Sequence, residues 1–252
     1  DSTLKLAYVL ALNDLILAPA TPSNTARSGG IIFPIVKSLA VSFDSTPGPT
    51  ARRVGSFLML STYFMGCITS AMFMTSMVSN PLIAELAKKT LDIDISWALW
   101  IQASIVPGLL SILVIPLFLY IFYPPELKLI PQAKVQAAAE LKAMGPISQY
   151  EKIMGCVFII VLALWATSMA TGLNATYVGL LGVCLMLVTQ VITWPDVLEE
   201  KAAWDVFIWL GGIIGLAGFL AKAGFITWFA KSVAVYLAGI PWHISLLLVV
   251  IV

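Results

Sequence analysis

The feature that most constrains the fold is a polar stretch, Leu17–Gly30, that interrupts an apolar part of the chain. It reads LAPATPSNTARSGG and lies between two apolar arms, Leu4–Leu17 and Ile31–Phe43. Each arm is about a dozen residues long, whereas a helix that crosses a bilayer needs roughly 20. The pattern favours a re-entrant helical hairpin over residues 1–43, in which neither arm crosses the membrane alone.

Two prolines within this stretch, Pro19 and Pro22, prevent one continuous helix, because each lacks a backbone N–H and clashes with the preceding turn. Lipid cannot satisfy non-helical backbone, which survives at membrane depth only inside protein or beside a water-filled cavity. We therefore expect the segment Ser23-Asn24-Thr25, called the tip below, to face an aqueous binding site. A polar surface loop between two short helices is the alternative.

The scarcity of charge identifies the solvent of this chain. Only 11% of its residues are charged and 60% are hydrophobic, whereas a soluble domain has about 25% charged residues. The sequence thus predicts an all-α polytopic membrane protein surrounded by the lipid bilayer. The net charge of +1 gives no basic field for nucleic acid. Because the chain starts and stops within its hydropathy pattern, we expect it to be an internal fragment of a longer protein.

A second interruption is expected in segment 44–95, which the sequence predicts to be a broken transmembrane helix. Phe57–Val78 is long enough to cross the bilayer but is rich in hydroxyl groups. We expect it to break at Ser79-Asn80-Pro81 and to resume through about Lys89, because the residue before a proline avoids helical angles. A helix that simply ends at the lipid interface is the alternative.

The remaining segments complete a polytopic pattern. They are a transmembrane helix at 96–123, a cytoplasmic linker with an amphipathic helix at 124–152, three transmembrane helices at 153–223 that start a second repeat, and an interfacial helix with a truncated segment at 224–252. Cationic side chains are more frequent in the loops at the open end of the hairpin than in the opposite loops. By the positive-inside rule this predicts that the hairpin opens to the cytoplasm.

The ionisable residues do not form the clusters that catalysis or metal binding needs. His243 is the one histidine, and Cys67, Cys156 and Cys184 lie far apart in apolar runs, where we expect them to be buried. Asp14 lies inside an apolar arm, where it could contact substrate, cap the hairpin turn or pair with Arg27. We do not expect an enzyme.

Neutral oxygen and amide groups at the two interruptions suggest a different chemistry. Hydroxyls and unwound carbonyls suit a small cation such as Na⁺, and the N-termini of half-helices suit an anion. Broken helices that meet at the bilayer midplane are how many secondary transporters build their sites. The residues therefore favour a transporter of a small anion, with or without a coupling cation.

Four stretches of the sequence, taken in order, resemble the divalent anion:sodium symporter family, in particular its bacterial citrate/succinate antiporters and plastid 2-oxoglutarate/malate translocators. These are Leu17–Gly30, Thr69–Leu82 (TSAMFMTSMVSNPL), Met144–Ser148 (MGPIS) and Ala203–Gly212 (AWDVFIWLGG). The resemblance implies an inverted-repeat transporter, usually a homodimer, in which a transport domain moves like an elevator against a scaffold. The second hairpin tip of the family is not found in this chain, so the resemblance implies half of a binding site.

The resemblance also implies roles for residues at both interruptions. The substrate-binding residues it implies are Ser23, Asn24, Thr25, Asn80 and Pro81. The residues implied for a cation site, if the protein uses Na⁺, are Ser23, Asn24, Thr75, Ser76 and Ser79.

These expectations combine into one functional hypothesis and two alternatives. The hypothesis is a secondary active transporter that exchanges malate, succinate, 2-oxoglutarate or citrate, with no cofactor other than a coupling Na⁺, in a bacterial inner membrane or a plastid inner envelope. One alternative is a Na⁺-coupled dicarboxylate or sulfate symporter of the same family. The other is a non-transporting membrane subunit of a larger complex.

Overall fold

The computed structural model describes residues 2–237 and 239–251, and their regular secondary structure is helical apart from one isolated antiparallel bridge between Ser2 and Leu129. The chain divides into two compact units, Asp1–Val191 and Ile192–Val252. The first unit contains α1 (Thr3–Leu17), α2 (Phe33–Ser42), α3 (Gly55–Met72), α4 (Ser79–Leu91), α5 (Trp97–Phe122), α6 (Pro131–Met144), α7 (Gln149–Ala166), α8 (Ser168–Thr171) and α9 (Ala175–Val188). The second contains α10 (Trp194–Glu199), α11 (Lys201–Lys222), α12 (Phe225–Leu237) and α13 (Trp242–Ile251).

Five helical segments in the described part of the chain are long and apolar enough to cross a membrane: Thr3–Ala20, Gly55–Met72, Trp97–Phe122, Gln149–Ala166 and Ala203–Lys222. The prediction of an all-α polytopic membrane protein is thereby confirmed. The segment Thr3–Ala20 has 18 residues and includes the first arm of the hairpin. This length is close to the lower limit of about 17 for a crossing helix, so the re-entrant path stays a prediction.

The backbone of the hairpin changes its form several times between α1 and α2. α1 ends in a 3₁₀ turn, Ala18–Ala20, and Thr21, Pro22 and Ser23 are then non-helical. The chain resumes as a helix at Asn24 and widens into a π-helical turn, Ala26–Ile32, before α2 begins. π-Helical turns are rare and occur frequently at functional sites.

The second interruption lies earlier in the chain than the sequence predicted. The non-α-helical stretch is Phe73–Val78, called the interruption below, and it contains the 3₁₀ turn Met74–Ser76. The expected break at Ser79-Asn80-Pro81 is therefore wrong, since these residues form the first turn of α4. The physical reason is that the first turn of a helix leaves its N–H groups without helical partners, so a proline there removes nothing.

Two polar side chains, one within the interruption and one just beyond it, bond to carbonyls at the end of α3. The Ser76 hydroxyl donates to Ser70 O at 2.6 Å and to Phe73 O at 2.8 Å. The Asn80 amide donates to the same two carbonyls at 2.7 and 2.9 Å. The last carbonyls of a helix have no helical partners, so these bonds compensate the ending of α3 at Met72.

The open end of the hairpin is joined to the end of α5. Thr3 N–H donates to Lys128 O at 3.1 Å, and the N–H groups of Glu126 and Leu127 donate to Arg52 O and Arg53 O at 2.9 and 3.0 Å. The Arg52 guanidinium lies 4.6 Å from the centre of the Tyr123 ring, within reach of a cation–π contact. Three of the cationic residues that the charge pattern assigned to one side of the membrane, Arg52, Arg53 and Lys128, thus lie together.

Two details outside the hairpin differ from expectation or add to it. Cys67, Cys156 and Cys184 are exposed, because they lie on outward faces of apolar helices and not in the core, so their predicted burial is wrong.

In the second unit α10 begins with a capping box. Hydrogen bonds from the Thr193 hydroxyl and N–H, both at 2.7 Å, hold the pKa of the Asp196 carboxyl below its usual range.

The packing of the hairpin on α3 depends on Gly66. A Cβ atom there would lie 2.5 Å from Ser28 Oγ and 3.2 Å from Asn24 Oδ1, two atoms joined by a hydrogen bond of 2.9 Å. We expect Gly66→Ala to break that bond by displacing Ser28, and to lower stability by about 1–2 kcal/mol relative to the control below.

The control is Gly155→Ala on α7, which makes the same exchange where a Cβ has no neighbour within 4 Å. It should be neutral or slightly stabilising, because alanine favours a helix over glycine by about 1 kcal/mol. Thermal unfolding of both full-length variants in detergent makes the comparison. Equal shifts for the two would contradict the close packing at Gly66.

Candidate functional site

The hairpin and the interruption meet, so the structure brings the unwound backbone after α1 and that after α3 together. The 3₁₀ turn Ala18–Ala20 packs against the 3₁₀ turn Met74–Ser76. A hydrogen bond of 2.7 Å from the Thr75 hydroxyl to Pro19 O joins them directly. Unwound backbone from two separate parts of the sequence therefore shares one location.

The tip residues begin the second helical arm of the hairpin. Ser23 Oγ accepts the N–H of Ala26 at 3.2 Å, as an N-cap side chain does. Asn24 Oδ1 accepts the Ser28 hydroxyl, and Ser23 and Asn24 are half-buried whereas Thr25 is exposed. The first N–H groups of a helix lack helical partners, so this arrangement provides donors of the kind that bind carboxylates.

The residues predicted around the second interruption separate into two sets. Thr75 and Ser76 lie in the 3₁₀ turn that contacts the hairpin, whereas Ser79, Asn80 and Pro81 lie in the first turn of α4. Ser76 and Asn80 are buried and use their donors on the end of α3. Ser79 is half-buried and Pro81 is exposed.

A fully buried arginine lies where these elements meet. The Arg27 side chain is 0% exposed, and its Nη1 donates to Thr21 O at 3.2 Å and to Ser76 O at 3.4 Å. Its Nη2 donates to Ser70 Oγ at 2.8 Å and to Thr69 Oγ1 at 3.1 Å. One guanidinium thus binds the approach to the tip, the interruption and the end of α3.

The charge of Arg27 is balanced by Asp14 from the other arm of the hairpin. Arg27 Nε lies 2.9 Å from Asp14 Oδ1, and the Asp14 side chain is 3% exposed. The Thr69 hydroxyl donates to the other oxygen, Asp14 Oδ2. Of the three roles open to Asp14, the structure shows the pairing with Arg27.

The sequence did not identify Arg27 as a residue of the site. The sequence indicates Arg27 only as a possible partner for Asp14, because an arginine in a polar stretch gives no sign that it is buried. The available signal was an acid inside one apolar arm and a single arginine in the polar stretch that follows it. Intramembrane charges are expensive and pair with one another, so each carries information about the other.

The buried pair predicts a strong asymmetry between its single and double variants. Removing one partner of a buried ion pair leaves an uncompensated charge and costs about 3–5 kcal/mol. We expect Asp14→Asn and Arg27→Gln each to destabilise the full-length protein by that amount. The double variant should lose clearly less than the sum of the two.

Thermal unfolding in detergent measures the cycle, and an exposed pair supplies the control. Lys89 Nζ lies 3.0 Å from Glu85 Oε1, with side chains that are 66% and 59% exposed. Glu85→Gln should change the free energy of unfolding by less than about 1 kcal/mol. Additive effects of Asp14→Asn and Arg27→Gln would show that the two side chains do not interact.

The sequence of this chain is similar to a known protein family and to several of its members. A family profile described as "Sodium:sulfate symporter transmembrane region" matches residues 1–252. The chain is 42% identical over 248 residues to "Dicarboxylate transporter 1, chloroplastic" of Arabidopsis thaliana, an alignment that covers 97% of this chain and 44% of that protein.

Two Escherichia coli K12 proteins are similarly related. "Inner membrane protein YbhI" is 42% identical over 231 residues, covering 92% of this chain and 48% of that protein. The "L-tartrate/succinate antiporter" is 39% identical over 251 residues, covering 99% of this chain and 51% of that protein. The chain therefore spans about half the length of these relatives, and it belongs to the sodium:sulfate symporter family, the divalent anion:sodium symporter family that its motifs resemble.

Proposed function

We propose that the whole protein is a secondary active transporter that exchanges di- or tricarboxylates across a membrane. The observation that carries the proposal is the meeting of the hairpin and the interruption around a buried, fully bonded Asp14–Arg27 pair. Two relatives whose names specify dicarboxylate transport and tartrate/succinate antiport support the substrate class and the exchange mode. A bacterial inner membrane or a plastid envelope is the location that fits the names of the relatives.

In this proposal the tip binds one carboxylate of the substrate. Ser23 and Asn24 are half-buried at the start of a helical arm, where free N–H groups and the helix dipole favour an anion. Thr25 adds an exposed hydroxyl beside them. The other carboxylate is bound by the corresponding hairpin of a second, inverted repeat. Asn80 and Pro81, in the first turn of α4, lie next to the bound substrate.

The whole protein follows the architecture that this family implies. The hairpin is re-entrant, and α1–α5 belong to a transport domain that moves like an elevator against a scaffold to which α7–α9 belong. Two copies form a homodimer. No cofactor takes part in the exchange.

The environment of Arg27 supports sodium-independent exchange over Na⁺-coupled symport. A bound Na⁺ needs several oxygen ligands, and unwound carbonyls near the tip and the interruption are the natural source. Arg27 Nη1 already donates to one carbonyl of each stretch, Thr21 O and Ser76 O. The Arg27 guanidinium thus already uses two carbonyl oxygens that a Na⁺ bound between the tip and the interruption would require as ligands.

Counter-exchange in proteoliposomes tests this function. With purified full-length protein and internal succinate, we expect uptake of labelled succinate or malate at a rate that does not change when external Na⁺ is replaced by K⁺. Empty liposomes should take up little label, because exchange needs a substrate on both sides.

The other outcomes of that experiment are equally clear. Uptake into empty liposomes that depends on a Na⁺ gradient would establish symport and contradict the role given to Arg27. A correctly folded protein with no flux of any dicarboxylate, tricarboxylate or sulfate would establish the non-transporting subunit.

A pair of asparagine variants tests the tip. Asn24→Ala removes the amide at the tip, and we expect it to lower the exchange rate at least tenfold with unchanged expression. Asn13→Ala removes an exposed amide from α1 and should stay within twofold of wild type. Normal exchange by Asn24→Ala would show that the Asn24 side chain does not take part in substrate binding and would contradict the role proposed for the tip.

A further inference from the structure

One hydroxyl in the interruption joins three separate segments. The Thr75 hydroxyl donates to Pro19 O at 2.7 Å, at the point where α1 ends. The same oxygen accepts the indole N–H of Trp97 at 3.2 Å, and Trp97 is the first residue of α5. Thr75 therefore connects the hairpin, the interruption and α5 within a single side chain.

The indole that Thr75 binds lies inside an aromatic stack. Trp97 is 6% exposed and lies between Phe73, with ring centres 6.2 Å apart, and Trp165, with ring centres 6.0 Å apart. The planes of the two tryptophan rings are inclined by only 19°. Trp165 is also 6% exposed and donates its own N–H to Ala175 O at 3.0 Å.

The stack joins α5, in the group α1–α5, to α7. The bonds within that group differ in kind from those between α5 and the helices that follow it. Within α1–α5 the buried network around Arg27 and Asp14 joins the hairpin to α3 and the interruption. Within the described part of the chain, α5 meets α7 and α8 through aromatic and apolar contacts and one weak hydrogen bond, from Gln102 Nε2 to Met169 Sδ at 3.9 Å. A contact without strong polar bonds can separate and re-form without leaving a buried donor unsatisfied.

We propose that Thr75 is a positioning residue: its hydroxyl fixes the Trp97 indole against Trp165, so that α5 re-forms its contact with α7 and α8 each time the transport domain moves during exchange. The inference deepens the proposed exchange function and rests on it. It gives Thr75 a role other than that of a cation ligand.

A double-mutant cycle in the full-length protein separates positioning from ligand binding. Thr75→Val keeps the shape of the side chain and removes the hydroxyl, and Trp97→Phe keeps an aromatic ring and removes the N–H. We expect each to lower the maximal exchange rate at least fivefold with the substrate KM within twofold of wild type. The double variant should be no slower than the slower single variant, because both remove the same hydrogen bond.

Thr75→Ser is the matched control, since it keeps the hydroxyl, and it should restore the rate to within twofold of wild type. A raised KM with an unchanged maximal rate in Thr75→Val, or effects of Thr75→Val and Trp97→Phe that multiply, would overturn the inference. A wild-type protein without exchange would overturn the proposed function as well. Exchange in wild type that Thr75→Val leaves unaltered would overturn the positioning role alone.

Cross-linking tests the separation of the contact and does not depend on the folding of the Thr75 variants. Cysteines are introduced by Gln102→Cys and Met169→Cys in a full-length protein whose native cysteines, which include the exposed Cys67, Cys156 and Cys184, are replaced by serine. A short bifunctional methanethiosulfonate should lower exchange at least tenfold, and dithiothreitol should restore it. Each single-cysteine variant, treated in the same way, should keep its rate. Full exchange by the cross-linked protein would overturn the inference.

Discussion

The architecture of the first unit depends on the buried ion pair between Asp14 and Arg27. Neither charge is stable alone in an apolar interior, and their attraction compensates desolvation only when further hydrogen bonds complete the shell. Thr69, Ser70 and two backbone carbonyls provide those bonds. The requirement to satisfy one guanidinium thus determines where α1, the π-helical turn, α3 and the interruption lie relative to one another.

This dependence also explains why so much unwound backbone is tolerated in an apolar chain. Buried carbonyls without partners are costly, and each non-α-helical stretch creates several. Arg27 takes one carbonyl from each stretch, and the Thr75, Ser76 and Asn80 side chains take others. The polar residues that first suggest a binding site are therefore in part the supports of its scaffold, and the exposed or half-buried ones, at the tip, remain for a ligand.

The sequence predicted the helical class and the turn after α1, because these follow from hydropathy and from Pro19 and Pro22, whose chemistry is local. It misplaced the second interruption, since a proline marks the first turn of the next helix as readily as it marks a break. Phe73–Val78 has no breaker residue, and its unwinding depends on bonds that Ser76 and Asn80 make to Ser70 and Phe73. The role of Arg27 could not be predicted in full, because its partners at Ser70 and Ser76 are more than forty residues away. Hydropathy likewise could not predict that the cysteines face outward, because it does not distinguish a helix face toward lipid from a face toward the core.

The distribution of the ion pair over two arms has a consequence for how the protein is assembled. A lone aspartate or arginine at the centre of a bilayer costs about 2.5–3.5 kcal/mol on translocon insertion scales. Asp14 is made first during synthesis, and it lies thirteen residues before Arg27, the cation that neutralises it by direct contact. An arm that entered hydrocarbon alone would carry that charge unpaired, so the two arms must reach the lipid as a joined unit, and early ribosome-bound chains that end between them should remain at the membrane surface.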